Sequence, residues 1–425
     1  MIWIGYTTLY RDGGPEFERA ARTLARERGG EVRCEVIESK RAFVDAMARI
    51  AAEGRQIEEL HFIGHSGLYG PMFRTTSMPE QFSPHEWRHL SIPFAPGAQA
   101  WFRCCRSARW FAPFFARTFR VQTHGFYLYT TFSRRPDRFV LDRGGAASDP
   151  LYVVAVPGKK SHGRLGSLMK YTGLASVEPM KSFPPDHEPD RSYDAVAHLY
   201  DAVFTDISVR DDEVRWLRSR IPRGARVLDI GCGNGALLGH LSGEIASGVG
   251  VDASGAILDR ARERWQGKPN LAFQQISGPA LPLADASVDV VTSLLSWRYL
   301  DWDPLMMEIR RVLVPGGRLL VVDMVALPMS SSDIPLFGRS KLRQWSTHAR
   351  RREYAAHLRR LVTDPRWRHM LDHNPIRADH EYRWYFESRF PGRRLETLTA
   401  GWTSRVVAFD TGPLSPGWTL PQSYP

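Results

Sequence analysis

Five positions of this 425-residue sequence combine residue types and a spacing that could hold a small charged ligand. The stretch "VLDIGCGNG" sets Asp229 two residues before Gly231, with Gly233 and Gly235 following. Glycine at these places lets backbone approach a ligand with no Cβ in the way, and a helix beginning there offers unpaired N–H groups. Asp252 closes "GVGVD", 21 residues after Gly231, where a carboxylate can accept hydrogen bonds from both hydroxyls of a ribose. The same loop satisfies G-x-G-x-x-A, so a nicotinamide dinucleotide is the direct competitor. Asp229 argues against it, because a negative charge beside the loop repels a pyrophosphate and suits an ammonium group.

A second constellation lies near the N-terminus. "ELHFIGHSGLYG" brings His65 to the end of an expected strand, and "AQAWFRCCRSA" brings Cys104 and Cys105 to the end of the next. A thiolate can attack a carbonyl while a nearby imidazole handles protons. Neighbouring residues on a strand face opposite ways, so only one of the two cysteines could meet His65. The plainer reading is a buried strand end with inert thiols. A vicinal disulfide is strained and belongs to oxidising compartments. Zinc needs further ligands, and Cys34 and Cys232 sit in other elements, so no metal site is expected.

The elements that must position these residues form three zones. In residues 1–158, "MIWIGYT", "EVRCEVIE", "IEELHFIGHSG" and "GAQAWFRCC" read as strands. Between them stand the amphipathic "PEFERAARTLARER" and "KRAFVDAMARIAAEG", and "SARWFAPFFARTF" follows the last. Two more extended runs, "GFYLYTTFS" and "LYVVAVP", follow. Residues 159–190 are rich in Pro, Gly, Ser and Lys and read as a linker. From 191 to 425 a second strand–helix alternation begins, interrupted at about 338–392 by a basic, aromatic helical segment. Alternation of this kind predicts an α/β protein of two doubly wound domains with mostly parallel sheets.

Composition narrows the class. Apolar residues make up 43% and aromatic residues 11%, as in folded globular proteins. No run of eighteen apolar residues exists, so no membrane span is expected. Four cysteines give no disulfide framework, and with no signal-peptide pattern at the N-terminus a reducing cytoplasm is the expected location. The net charge of +11 is concentrated, with fifteen Arg or Lys against six Asp or Glu between Arg339 and Arg394. A solvated helical face and an attraction for acidic partners both account for that surplus.

The order "VLDIGCGNG", "GVDAS", "LPLADASVDVV", "VLVPGGRLLVVD" resembles the class I S-adenosylmethionine-dependent methyltransferases that act on small molecules. The resemblance implies a Rossmann-like seven-stranded sheet and S-adenosylmethionine as cofactor. It assigns Gly231, Gly233 and Gly235 to the methionine end of that cofactor, Asp229 to its amino group and Asp252 to its ribose. Ala253 is then expected by the adenine, and Ser293 and Leu294 near the reacting methyl. Relatives often carry an acid for the adenine amino group where this chain has Ser277 and Gly278, so a hydroxyl or backbone group takes that contact. Tyr193 and Tyr200 fall on a preceding helix that often covers the site. Tyr299 stands where relatives often carry a residue beside the acceptor, and packing is its plainer role. The basic segment is expected to roof a small-molecule acceptor, with Arg350 to Arg352 or Arg383 holding a carboxylate or phosphate if the acceptor is anionic. No nucleic-acid module is present, so nucleic acid is not the expected partner.

"RCCRS" and "GHSG" resemble, loosely, the caspase cysteine and histidine turns. That resemblance implies a caspase-like α/β fold for residues 1–158 with His65 and Cys105 as a reactive pair. Two alternatives stay open: an N-terminal Cys–His peptidase-like activity, and a non-enzymatic module that docks a carrier protein or partner subunit.

Overall fold

The computed structural model describes residues 1–11, 13–74, 79–132, 153–156, 180–186, 195–327, 329–373, 376–415 and 418. Tyr193 and most of the expected 159–190 linker lie outside the described residues, but Lys181–Phe183 within it form a strand. The chain divides into two units, with the boundary between Asp190 and Arg191.

In the first unit, period-two alternation sends side chains of each strand to opposite faces. Strands β1 (Ile2–Tyr6), β2 (Val32–Val36) and β3 (Ile57–Ile63) alternate with helices α1 (Gly14–Arg28) and α2 (Lys40–Ala52). Helix α3 (Pro84–His89), strand β4 (Phe94–Arg103), helix α4 (Phe111–Phe119) and strand β5 (Gln122–Gly125) follow. Among the described residues, strands β6 (Tyr129–Phe132) and β7 (Val153–Val156) pair with each other outside the main sheet, and β8 (Lys181–Phe183) closes the main sheet. The sheet order is β8-β5-β4-β3-β1-β2, parallel throughout except for β8 against β5. Ile4, Tyr6 and Ile63 bury against Phe17, Ala21 and Leu24 of α1 on one face. Trp3, Leu60, Phe62 and Phe102 bury against α2, Trp87 of α3 and the phenylalanines of α4 on the other.

Local chemistry sets the ends of these elements. Ser39 caps α2 by accepting from Ala42 N at 2.9 Å, and Gly54 leaves it at φ 67°. The expected single strand over "GFYLYTTFS" is instead broken. Ser107 Oγ accepts from Phe126 N at 3.1 Å, Ala108 N donates to Phe126 O, and Arg106 N donates to Leu128 O. The segment therefore runs along the turn after β4 before β6 begins.

The second unit starts with helices α5 (Ala197–Phe204) and α6 (Asp211–Arg218). Its sheet is built from β9 (Arg226–Ile230), β10 (Ser247–Asp252), β11 (Leu271–Gln275), β12 (Val288–Leu294) and β13 (Leu313–Ala326). Helices α7 (Ala236–Leu241), α8 (Gly255–Trp265) and α9 (Trp302–Val312) connect them. The basic segment forms α10 (Ile334–Arg350), α11 (Arg352–Thr363), α12 (Pro365–His373) and α13 (Asp379–Arg389), before the hairpin β14 (Glu396–Ala400) and β15 (Ser404–Asp410). The seven-stranded order is β11-β10-β9-β12-β13-β15-β14, parallel up to β13 and antiparallel at both pairings of β15. Leu319 and Val321 bury with α9 and α13, whereas Leu320 and Val322 bury with α6, α7 and α8. Helices thus cover both faces of a Rossmann-like sheet.

Candidate functional site

Strand order reverses between β9 and β12, and in open α/β sheets that crevice at the carboxyl edge is where ligands bind. Immediately past β9, Gly231, Gly233 and Gly235 all take left-handed φ, at 70°, 53° and 72°. At Gly231 the constraint is also steric, since a Cβ there would lie 2.3 Å from Cβ of Ser296. The turn is fastened to β10, with Gly231 N and Cys232 N both donating to Val251 O.

Asp252 stands at the end of β10 and reaches across to this turn. Its Oδ2 accepts from Gly233 N at 3.0 Å and its Oδ1 from Ser254 N at 2.9 Å. Each carboxylate oxygen keeps a further lone pair, enough to receive a pair of vicinal hydroxyls. Ala253 and the Ser277–Gly278 pair are exposed beside it at the ends of β10 and β11. The two chain ends are joined by Ile276 N donating to Asp252 O at 3.0 Å.

Asp229 is buried one layer below the turn, where Thr292 Oγ1 donates to its Oδ1 at 2.7 Å. Burial pushes its pKa up from 3.8 to about 7, with the charge of Asp252 adding and the Thr292 hydrogen bond opposing. A carboxyl group so poised gains most from a cation placed against it. On the far side of the crevice, Ser293 Oγ and Ser296 Oγ are 2.8 Å apart and Ser296 Oγ donates to Ile230 O at 2.7 Å. Leu294, at the end of β12, is half-buried, and Leu295 follows it at φ 60°, turning the chain into Trp297–Tyr299.

Tyr299 keeps 40% of its surface exposed, yet desolvation of its phenol raises its pKa, against the opposing Arg298 guanidinium. It is therefore a hydrogen-bond donor at neutral pH and not a base. Beneath it is a cluster that sequence reasoning missed. Buried Asp323, on β13, accepts from Arg298 N at 2.8 Å and from the Tyr382 hydroxyl at 2.6 Å, and it pairs with Arg298 Nη1 at 3.4 Å. Arg298 lies 4.8 Å from the Tyr299 ring centroid. A further missed contact ties the covering helix α5 to the glycine turn: Asn234 Nδ2 donates to Asp201 Oδ1 at 2.7 Å, and Arg260 pairs with Oδ2 at 2.7 Å. The Asn in "GCGNG" was the available signal.

Of the arginines expected to clamp an anionic acceptor, two already have acidic partners and two face solvent. Arg351 pairs with Asp206, Arg383 pairs with Asp379 and Glu387, and Arg350 and Arg352 are exposed. Helix α13 is core, with Tyr382, Tyr385 and Phe386 packed on Trp302.

In the first unit, parallel pairing of β3 with β4 brings His65 and Cys105 to neighbouring strand ends. Both cysteines lie past the end of β4, so opposite-facing strand positions do not decide between them. Cys104 is fully buried and its thiol is pushed up to about 12 by burial, while Cys105 is half-buried. Cys105 Sγ is 3.4 Å from both Thr130 N and Thr130 Oγ1, and the His65 ring lies edge-on to Tyr10 and Phe17 at 5.6 and 5.1 Å.

Residues 228–321 match the family described as "Methyltransferase domain". The chain is 35% identical over 121 residues to "Methyltransferase GfsG" of Streptomyces halstedii, covering 27% of this chain and 44% of that protein. It is 31% identical over 163 residues to "2-phytyl-1,4-naphtoquinone methyltransferase" of Thermosynechococcus vestitus, covering 36% of this chain and 71% of that protein. The chain thus spans between 44% and 71% of the length of these two relatives. Among solved structures, a SAM dependent methyltransferase from Aquifex aeolicus is similar at 17% identity and a TM-score of 0.29, over 47% of this chain and 89% of that one. These matches do not support a caspase-like first unit.

Proposed function

Because the chain belongs to the class I S-adenosylmethionine-dependent methyltransferases, we propose that its second unit transfers a methyl group to a small-molecule acceptor at the β9/β12 crevice. The observation that carries this reading is the junction of the left-handed glycine turn with the Asp252 carboxylate. Bound S-adenosylmethionine supplies a methyl group on a positively charged sulfur, which an acceptor lone pair takes in line.

The chain's own residues then have separable tasks. Gly231, Gly233 and Gly235 admit the methionine end, and Asp229 offers a buried carboxylate to its ammonium group. Asp252 receives the ribose hydroxyls, and Ala253, Ser277 and Gly278 border the adenine with backbone and a hydroxyl. Ser293 and Leu294 line the approach to the methyl group. Tyr299 donates a hydrogen bond to the acceptor, steadied from below by Arg298 and Asp323, while the chain aligns the two reactants and excludes water.

Two relatives are named as methyltransferases of a phytyl-naphthoquinone and of demethylmenaquinone, each 31% identical to this chain. Naphthoquinone-type compounds are accordingly the acceptor class to test first. Formation of S-adenosylhomocysteine that depends on one such compound, and that falls at least tenfold in Asp252→Ala, supports the proposal. Transfer by that variant at the wild-type rate contradicts it.

For the first unit, a Cys–His peptidase-like activity has one observation in its favour, the placement of His65 and Cys105 after adjacent parallel strands. Labelling of Cys105 by an electrophilic, thiol-reactive probe, lost in His65→Ala, is its test.

A further inference from the structure

Helix α10 carries a second surface that the methyltransferase site does not use. Ile334, Gly338, Leu342, Trp345 and Ala349 recur at three- and four-residue steps, so they form one stripe along the helix. All five are exposed, with Ile334 at 58%, Leu342 at 68% and Trp345 at 70%. This is not the face by which the helix packs. Its other side is fastened by Ala400 N donating to Ser340 Oγ at 3.2 Å, by Arg343 paired with Asp212, and by Phe337 against Trp402 at a centroid distance of 4.6 Å. Trp402 itself is 62% exposed and adds to the apolar surface at the start of the helix.

Charge identifies what the stripe meets. Exposed Arg339 and Arg350 border it on one side and exposed Lys341 on the other, and α10 contains no Asp or Glu. A second copy of this chain is disfavoured, because pairing the same faces would set cations against cations. The stripe is convex, with its largest side chains protruding into solvent, and it is rimmed by cations. That is the pattern of a helix lying in the interface of a bilayer, apolar residues among the acyl chains and Arg or Lys at the headgroups. We infer that α10 docks the second unit onto an anionic lipid surface, Leu342 and Trp345 inserting and Arg339, Lys341 and Arg350 contacting headgroup phosphates.

The test is flotation of the full chain with vesicles of phosphatidylcholine, with and without phosphatidylglycerol. The wild type is expected to float with the anionic vesicles and not with the neutral ones. Leu342→Ser with Trp345→Ser is expected to weaken binding about a hundredfold, since it removes the inserted groups. Arg339→Gln with Lys341→Gln is expected to weaken it about 30-fold. Both double variants alter exposed side chains, so unchanged S-adenosylmethionine binding verifies that they fold. Equal flotation with both vesicle types overturns the inference, as does wild-type flotation by the serine variant. Absence of flotation together with a dimer in sedimentation velocity that the serine variant abolishes assigns the stripe to a second copy and overturns it too. Absence of flotation with a monomer, which leaves an acidic protein as the partner, also overturns it.

Discussion

Replacing Asp229 by Asn should make the protein more stable and a poorer binder of its cofactor at once. The buried carboxyl has its pKa raised from 3.8 to about 7, chiefly by desolvation. That rise corresponds to about 4 kcal/mol held against folding wherever the group is ionised. Since the folded value lies above the unfolded one, the unfolded chain ionises first. The cost is absent below about pH 4, grows by about 1.4 kcal/mol per pH unit, and is complete above about pH 7. Asn stays neutral at every pH and still offers Oδ1 to the Thr292 hydroxyl, which donates at 2.7 Å in the wild type. Urea unfolding at a series of pH values should therefore show a gain for Asp229→Asn that is near zero below about pH 4, about 1.5 kcal/mol at pH 5 and about 4 kcal/mol at pH 8. Calorimetry at pH 8 should show S-adenosylmethionine binding weakened at least about tenfold, the loss of one charge-assisted hydrogen bond to its ammonium group. In the wild type, affinity should fall as pH drops below about 7, because the ammonium then meets a protonated acid. A stability gain independent of pH, or undiminished binding at pH 8, would refute the reasoning.

Gly231→Ala should cost about 2 kcal/mol or more, from left-handed φ strain and the 2.3 Å approach to Ser296, and adding Ser296→Gly should recover only the steric part in thermal unfolding. Asp323→Asn should destabilise by about 3 kcal/mol, since it strips the counter-charge from buried Arg298, whereas Tyr382→Phe should cost only about 1 kcal/mol in urea titrations. Tyr299→Phe should leave S-adenosylhomocysteine binding unchanged and lower the rate of methyl transfer. A change in cofactor affinity instead would move Tyr299 out of the acceptor side.

The cofactor crevice was legible because its parts are local. A strand with Asp229 one residue before its end, a turn of glycines and a helix start lie within one short stretch, and Asp252 ends the next strand. Backbone chemistry alone selects glycine at a left-handed turn, so the residues advertise their conformation. The Arg298–Asp323–Tyr382 cluster was illegible because its members come from three elements far apart in sequence. Tyr382 also lies in the segment read as a roof, where aromatic residues fit either a lid or a core. The pairing of the arginines was illegible for a related reason: positive charge in a sequence does not say which arginines already have acids beside them, as Arg351 and Arg383 do. In the first unit, strand–helix alternation placed His65 and Cys105 at neighbouring strand ends. Residues that flank them, Tyr10 from a loop, Phe17 on α1 and Thr130 on β6, come from separate elements whose approach periodicity cannot place.

Calorimetric titration of S-adenosylmethionine into the wild type and Asp252→Ala tests the central claim most directly. The account predicts one site per chain in the wild type and binding weakened at least about a hundredfold in the variant, since two hydrogen bonds to the ribose are lost together. Equal affinities, with both proteins folded by thermal unfolding, would contradict it and move the cofactor away from the β9/β12 crevice.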